Sequence, residues 1–267
     1  MRPEPSAHCE YFVEGQPDGP TLVFIHGWPD DASLWRHQVT ALGHHYRCVL
    51  VTLPNFGARP VQAGGFDFPE LLRRLVGTLD AAQPDGTPVT LVTHDWGSYL
   101  GYLLEQTHPE RVARMVALDV GGHLAPRSAR EKLLIAGYQW VLILLWLIGG
   151  ALPPLGNGLT RRFARLLRVP ARQAASVRSR CNYPYFYLWR SLLVPRWRPR
   201  LLSRYRPGCP VLFLWGMRKP VMFHSGRWLE LVADSGGASV GFEQAGHWLQ
   251  ETHPEQVNAE ISRWLES

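Results

Sequence analysis

Five short apolar runs, separated by segments with helical periodicity, constrain the fold of this chain more than any other feature. The runs are rich in β-branched residues and lie at 21–25, 48–53, 89–93, 115–118 and 211–215. Helical patterns lie at 68–82, 98–108, 226–233 and 254–265. Strands that are apolar on both faces and alternate with helices predict an α/β fold with a mostly parallel sheet, flanked by helices on both sides.

The alternation is interrupted once, between the strands at 115–118 and 211–215. From Gly121 to about Pro207 the sequence shows helical stretches and no convincing strand. We interpret this segment as a helical cap inserted between two strands of one sheet. A chain of 267 residues is long enough for such a domain. The predicted organisation is a core formed by residues 1–121 and 207–267, with a cap at 122–206.

The cap overlaps the basic part of the chain. Residues 133–229 hold 15 Arg and Lys219 with no Asp or Glu, a charge of +16, so a chain with a net charge of +6 carries −10 elsewhere. Nucleic acid could be attracted to such a region, but no recognised nucleic-acid-binding motif accompanies it. We therefore expect no nucleic-acid partner.

The cysteines and the first residues indicate the compartment. The four cysteines show no paired spacing; they are Cys9, Cys48, Cys181 and Cys209. The first residues, MRPE, lack the apolar stretch of a signal peptide. These features favour reduced thiols and a cytoplasmic protein.

A sharp strand-to-helix turn is predicted at residues 93–97, which read THDWG. Small residues two positions before and after the apex permit such a turn, and its apex side chain is held in an exposed, strained position. Asp95 is that apex, and the N-terminus of the following helix favours its ionised, nucleophilic form. The competing interpretation is that Asp95 only caps the helix.

Two further segments predict groups that act together with Asp95. The loop HGWP at 26–29 follows a strand and can aim the Trp28 N–H at the same point as the Trp96 N–H, which would form an oxyanion hole. Alone, it is also typical of an ordinary turn. His247 follows a strand end and a glycine, and histidine suits a general base because its ordinary pKa is about 6.5.

Four segments together resemble the signatures of epoxide hydrolases in the right order: HGWP at 26–29, SLWRHQ at 33–38, HDWG at 94–97 and GHW at 246–248. The chain is similar to the α/β-hydrolase superfamily, and within it to the branch of epoxide hydrolases and dehalogenases with an aspartate nucleophile. The resemblance covers about 1–120 and 207–267 well and the cap loosely. It implies Asp95 as nucleophile, His247 as base, a cis peptide between Trp28 and Pro29, and neither metal nor cofactor.

The third member of the implied triad is not at its commonest position. Relatives often carry an Asp shortly after the strand that ends in Trp-Gly, but residues 215–220 read WGMRKP, without an acid. Dehalogenases place their acid at the end of the preceding sheet strand, which is Asp119 here. We therefore assign Asp119 to orient His247, with Glu243 and Asp234 as weaker substitutes.

The resemblance also implies a proton donor in the cap, since epoxide hydrolases use cap tyrosines to protonate the epoxide oxygen. The aromatic segment 181–190 supplies Tyr183, Tyr185 and Tyr187. Tyr183 and Tyr187 are four residues apart and would share a helix face, so they are the candidate donors. Core packing is the competing interpretation for each.

An uncharged stretch at 133–160 has its most apolar part at 139–148. A membrane span needs about 20 apolar residues, and we expect Gly149-Gly150 and Pro153-Pro154 to end the apolar part before that length. The favoured interpretation is a cap helix whose Trp140 and Trp146 line a substrate tunnel. In the alternative, these tryptophans and the arginines that follow dock the cap on an anionic membrane surface. Those arginines are Arg161, Arg162, Arg165, Arg168 and Arg172.

The predicted function is that of an epoxide hydrolase, which converts a lipophilic epoxide to a vicinal diol through an Asp95 alkyl ester. Its partners are then a small lipophilic substrate and water. The nearest alternative is a haloalkane or haloacid dehalogenase with the same triad, although no Arg follows Asp95 closely and Trp28 stands where a halide-binding Asn is expected. A non-catalytic, membrane-associated protein with this fold is a third alternative.

Overall fold

The computed structural model describes residues 7–57, 61–125, 128–194 and 205–267. Its centre is a seven-stranded sheet. The strands are β1 (Glu10–Gly15), β2 (Thr21–Ile25), β3 (Arg47–Thr52), β4 (Val89–His94), β5 (Val112–Leu118), β6 (Val211–Gly216) and β7 (Ala238–Phe242). Their order is β1-β3-β2-β4-β5-β6-β7, and all neighbours are parallel except β1 and β3. The predicted mostly parallel sheet is confirmed.

Ten α-helices accompany the sheet in the described part of the chain. They are α1 (Arg36–Leu42), α2 (Phe68–Ala82), α3 (Trp96–Thr107), α4 (Ala129–Ala151), α5 (Pro153–Leu166), α6 (Ala171–Ser176), α7 (Tyr183–Leu193), α8 (Gly226–Asp234), α9 (Leu249–Thr252) and α10 (Pro254–Leu265). Helix α1 packs against α10, and α2 against α3, so helices flank the sheet. The interior strands are buried because their side chains are apolar on both faces.

The register of the parallel strands brings their carboxyl ends to one edge of the sheet. Ile25 of β2 lies beside Thr93 of β4, and His94 lies beside Leu118 of β5. Leu118 in turn lies beside Leu214 of β6. The loops that follow these strands therefore converge at this edge, which is where open α/β sheets bind ligands.

Helices α4 to α7 follow β5 and precede β6, within the segment predicted to be the cap. One expectation about this segment was wrong: Gly149-Gly150 do not interrupt α4, which runs for 23 residues. A side chain at Gly149 would collide with the Ser179 hydroxyl, so this glycine permits close packing within the cap. Among the described residues, α4 is the one helix whose length and composition would suffice to cross a membrane.

All four cysteines are unpaired and buried. The predicted cytoplasmic location stays a prediction.

Candidate active site

Asp95 occupies the sharp turn between β4 and α3. Its backbone has φ 54° and ψ −121°, a left-handed conformation that is strained for a residue other than glycine. A side chain at Gly97 would collide with the carbonyl oxygen of Ile25, so the tight approach of α3 to β2 requires glycine there. The predicted strained apex is therefore present in the structure.

The Asp95 carboxylate is held by groups from two other loops. The Trp28 N–H donates to Oδ1 at 2.9 Å, and Nε2 of His247 lies 3.6 Å from Oδ2. Burial alone would raise the pKa of Asp95, but His247, His94 and the Trp28 N–H outweigh it and lower the pKa below its ordinary value. The carboxylate is therefore ionised near neutral pH.

The opposite nitrogen of the His247 ring faces Asp119. Nδ1 lies 2.5 Å from Oδ2 of Asp119, which is fully buried. Of the acids that the structure describes, only Asp95 and Asp119 lie within 4.0 Å of this ring, so neither Glu243 nor Asp234 takes that place.

The charges of this pair shift both pKa values. Burial would raise the pKa of Asp119, but Lys219 and His247 lower it to about 2. Burial would lower the pKa of His247, but Asp119 and then Asp95 raise it to about 9. The resting arrangement at neutral pH is an imidazolium between two carboxylates.

The loop after β2 supplies the Trp28 N–H, and its Trp28-Pro29 peptide is cis, as predicted. Gly27 lies so close to both Asp95 Oδ1 and the Trp96 backbone nitrogen that a Cβ there would overlap them. Of the two N–H groups predicted for an oxyanion hole, the Trp28 N–H contacts the Asp95 carboxylate, and the Trp96 nitrogen lies close to the same loop.

A buried asparagine links this loop to the cap. The Trp28 indole N–H donates to Oδ1 of Asn182 at 2.8 Å, and the Asn182 amide donates to the carbonyl of Leu142 in α4 at 3.2 Å. Sequence reasoning missed Asn182, because a single asparagine in an aromatic segment carries no motif. Lys219, whose ammonium binds Asp119, was also missed as a site residue.

A cavity of about 320 Å³ opens beside Asp95 and His247. Its wall is mostly apolar and comes from both the core and the cap. Cap side chains in the wall include Leu134, Tyr138, Gln139, Tyr185 and Leu188.

The two tyrosines predicted as proton donors, Tyr183 and Tyr187, are not among the residues that line this cavity. The Tyr183 hydroxyl donates to the carbonyl of Pro54 at 3.0 Å, and the Tyr187 hydroxyl donates to that of Gly64 at 2.8 Å. Tyr183 and Tyr187 share one face of α7, as predicted, but this face contacts the core and not the cavity. Tyr185 is about 200° further round the helix and lines the cavity, as Tyr138 of α4 does.

The expectation that Trp140 and Trp146 line the tunnel was also wrong. Trp140 is 46% exposed and packs beside Trp189, whereas Trp146 packs on Phe186 with ring centres 4.6 Å apart. Helix α4 reaches the cavity earlier, with residues 134, 135, 138 and 139.

Comparison with known proteins identifies the family to which this chain belongs. The sequence profile of the alpha/beta hydrolase family matches residues 22–260. The chain is similar to epoxide hydrolase A of Mycobacterium tuberculosis, with 26% identity over 94% of this chain and 92% of that protein. It is also 29% identical to a cis-3-alkyl-4-alkyloxetan-2-one decarboxylase of Xanthomonas campestris, over 52% of this chain and 49% of that protein.

A solved structure extends the similarity to the fold of the whole chain. An epoxide hydrolase variant from Bacillus megaterium, 20% identical in sequence, superimposes with a TM-score of 0.70 over 97% of both chains. Because the family profile covers most of the sequence and a relative matches it nearly end to end, this chain belongs to the alpha/beta hydrolase family and is an enzyme of the epoxide hydrolase type.

Proposed function

We propose that this enzyme hydrolyses lipophilic epoxides through an ester on Asp95. The observation that carries this proposal is the arrangement of Asp95, His247 and Asp119, with an ionised nucleophile facing the cavity and a histidine between two carboxylates. In the first step an Asp95 oxygen forms a bond to an epoxide carbon. The carbon–oxygen bond of the ring breaks, and its electron pair goes to the epoxide oxygen.

Tyr138 and Tyr185 are the proton donors in this proposal, in place of Tyr183 and Tyr187. Both line the cavity beside Asp95, and burial raises the pKa of each, so both hydroxyls carry their protons at neutral pH. An alkoxide is more basic than a phenolate. The opening ring therefore takes a proton from one tyrosine.

Before the second step His247 gives its resting proton through water to the tyrosine phenolate, so that both groups are neutral. His247 then accepts a proton from a second water, and the hydroxide attacks the ester carbonyl. The N–H groups of Trp28 and Trp96 stabilise the oxyanion. The ester bond breaks and the leaving oxygen takes the proton from His247, which releases the diol. The Asp95 carboxyl then ionises again and its proton goes to His247, which restores the imidazolium of the resting enzyme.

Formation of the ester also prepares His247 to act as the base. Asp95 is one of the two carboxylates that raise the pKa of His247. Because an ester carries no charge, the pKa of His247 falls at the step in which it must accept a proton. No metal or cofactor takes part in this sequence of steps.

A single turnover in heavy-oxygen water tests the ester route. The first diol released should carry no heavy oxygen, because its new oxygen comes from Asp95, and the label should enter the Asp95 carboxylate instead. Asp95→Asn should form no product under these conditions, whereas the surface variant Asp85→Asn should behave as the wild type. Label in the first product would show direct attack by water and would refute the proposal.

Two other reactions compete with epoxide hydrolysis. A decarboxylase of alkyl-substituted oxetanones is favoured by the similarity to the Xanthomonas enzyme and by the apolar wall of the cavity, which suits alkyl chains. A dehalogenase is less well supported, because the Trp28 indole N–H is bound to Asn182 and is not directed at a leaving halide. The three reactions are distinguished by comparing the rates with a styrene-oxide-like epoxide, a dialkyl oxetanone and a haloalkane of similar size.

We also propose that the outer face of the cap docks on an anionic membrane surface. Most of the exposed large hydrophobic side chains in the described residues belong to α4, α5 and α7. On α4 they form a stripe at helical spacing, comprising Leu133, Trp140, Val141, Leu144 and Leu147. Exposed arginines follow on α5 and beyond, at 162, 165, 168 and 172.

The charge of the cap favours a lipid surface over a second copy of this chain. Residues 133–229 contain no acid that could pair with those arginines, so two such faces would repel each other. The mouth of the cavity is close to the stripe, since Leu134 lines the cavity and is 44% exposed beside Leu133. A lipophilic substrate could then enter from the membrane.

Vesicle co-sedimentation tests the docking. The protein should bind vesicles of phosphatidylcholine with phosphatidylglycerol better than phosphatidylcholine alone, and salt should weaken the binding because charges are screened over about 8 Å at physiological ionic strength. Leu144→Ser/Leu147→Ser should lose binding, whereas Phe12→Ser, an exposed site on β1, should not. Dimerisation without vesicle binding, or no binding at all, would refute the docking.

A further inference from the structure

Lys219 is buried against the acid that orients His247. Its side chain is 6% exposed, and its ammonium contacts Oδ1 of Asp119. The same ammonium donates to the carbonyl oxygen of Gly216 at 2.8 Å, which anchors it at the end of β6. Lys219 also forms part of the cavity wall.

The two oxygens of the Asp119 carboxylate contact different groups. Oδ2 faces His247 at 2.5 Å. Oδ1 accepts from the Gly216 N–H at 3.0 Å and from Lys219. Both oxygens are therefore occupied, and the plane of the carboxylate is fixed relative to the imidazole ring.

Lys219 brings a positive charge into contact with the acid that faces His247. Asp95 and Asp119 face the two ring nitrogens, and the His94 ring lies 4.5 Å from the His247 ring. Burial and the nearby His247 lower the pKa of His94 to about 3, so His94 is neutral. Burial raises the pKa of Asp30, whose Oδ2 lies 3.9 Å from Nδ1 of His94, to about 8.

We propose that Lys219 is a positioning residue, which fixes the Asp119 carboxylate and offsets part of its charge so that His247 gives up its proton in time to activate water. The inference rests on the proposed roles of Asp119 and His247. A carboxylate without Lys219 would hold the proton on His247 more strongly. The enzyme would then form its ester normally but hydrolyse it slowly near neutral pH.

Replacement of Lys219 tests this through the pH dependence of ester hydrolysis. In Lys219→Met, the acidic limb of the hydrolysis rate should move to higher pH by about one unit, which is about a tenfold loss below the limb. The rate of ester formation should change less. Lys219→Arg keeps a positive charge beside Asp119, so its acidic limb should lie at the same pH as in the wild type. Equal loss in both steps with an unmoved limb would mean that Lys219 is only structural.

A titration without turnover separates this inference from the proposed reaction. NMR titration of the His247 ring in Asp95→Asn, with and without Lys219→Met, measures the effect of Lys219 directly. The His247 pKa should be higher without Lys219, and an equal or lower pKa would refute the inference. If Lys219→Met does not fold, Lys219→Gln keeps the hydrogen bonds without the charge and should show the same shift. Failure of the wild-type enzyme to form an ester would refute only the proposed reaction.

Discussion

The carboxyl end of the sheet and the outer face of the cap differ in whether their side chains contact other residues of the chain or are exposed. At the sheet end, both oxygens of Asp119 and both nitrogens of His247 face partners within the chain. On the cap, Leu144 and Leu147 of α4 are more than half exposed in the part of the chain that the structure describes. In the first region the polar groups are paired inside the molecule, whereas in the second the exposed apolar side chains are the basis of the proposed docking on a membrane.

The largest effect is expected at the sheet end, from Asp119→Asn. Loss of the carboxylate removes the group that orients His247, so ester hydrolysis should fall by about 10⁴-fold, the loss typical when a triad acid is replaced by its amide. Ester should accumulate and be visible by mass spectrometry of the quenched enzyme. An enzyme with wild-type hydrolysis would show that another group orients His247.

Asp119→Asn also leaves Lys219 buried without its charged partner, which itself destabilises the fold. The double variant Asp119→Asn/Lys219→Met removes that charge and is the matched control. It should recover thermal stability relative to the single variant without recovering activity. Recovery of activity together with stability would mean that the single variant had lost its fold and not its catalytic geometry.

The next effect is expected where the cap meets the core, from the cavity tyrosines. Tyr138→Phe/Tyr185→Phe should slow ester formation by about 10²-fold, because the epoxide oxygen loses its proton donors. Tyr183→Phe/Tyr187→Phe is the matched control and should leave this rate nearly unchanged, since those hydroxyls bind Pro54 and Gly64. If Tyr183→Phe/Tyr187→Phe slowed ester formation and Tyr138→Phe/Tyr185→Phe did not, the proton donors would be Tyr183 and Tyr187, as the sequence predicted.

A smaller effect is expected from pH alone. Ester formation needs ionised Asp95, whose pKa is lowered, so its rate should persist to a pH below the ordinary Asp range. Ester hydrolysis needs neutral His247, so its rate should fall about tenfold per unit below the His247 pKa of the ester form. Rapid-mixing measurement of both steps should therefore place the hydrolysis limb at the higher pH. Coincident limbs would mean that His247 is not the base.

How much could be predicted from sequence also differs between the two regions. The runs at 21–25, 68–82 and 254–265 have the same bounds in the structure as in the prediction, because apolar patterns and capping residues mark them clearly. The sharp turn at Asp95 followed from a local motif, and the cis peptide before Pro29 from the resemblance to epoxide hydrolases. Strand β1 was missed because it is an edge strand with half-buried and exposed residues, and so lacks an apolar run.

In the cap, sequence reasoning predicted helices but not the direction of their faces. Helix α4 is apolar nearly all round, so its periodicity does not reveal which side faces the core. The pattern therefore could not show that Trp140 and Trp146 pack beside Trp189 and Phe186 and not along the tunnel. On α7, Tyr183 faces the core and Tyr185, only two positions later in the sequence, faces the cavity. Only the packing against the core decides such questions.

The smallest effect is expected on the outer face of the cap, where two neighbouring leucines of α4 provide a matched pair. Leu142 is fully buried and Leu144 is 56% exposed. Leu142→Ala should destabilise the protein by about 2–5 kcal/mol, because it leaves a cavity among packed side chains. Leu144→Ala should change stability by no more than about 0.5 kcal/mol. Urea unfolding of both variants measures the difference. A large loss for Leu144→Ala would show that this side chain has an internal packing role, and the stripe would then no longer indicate an external partner.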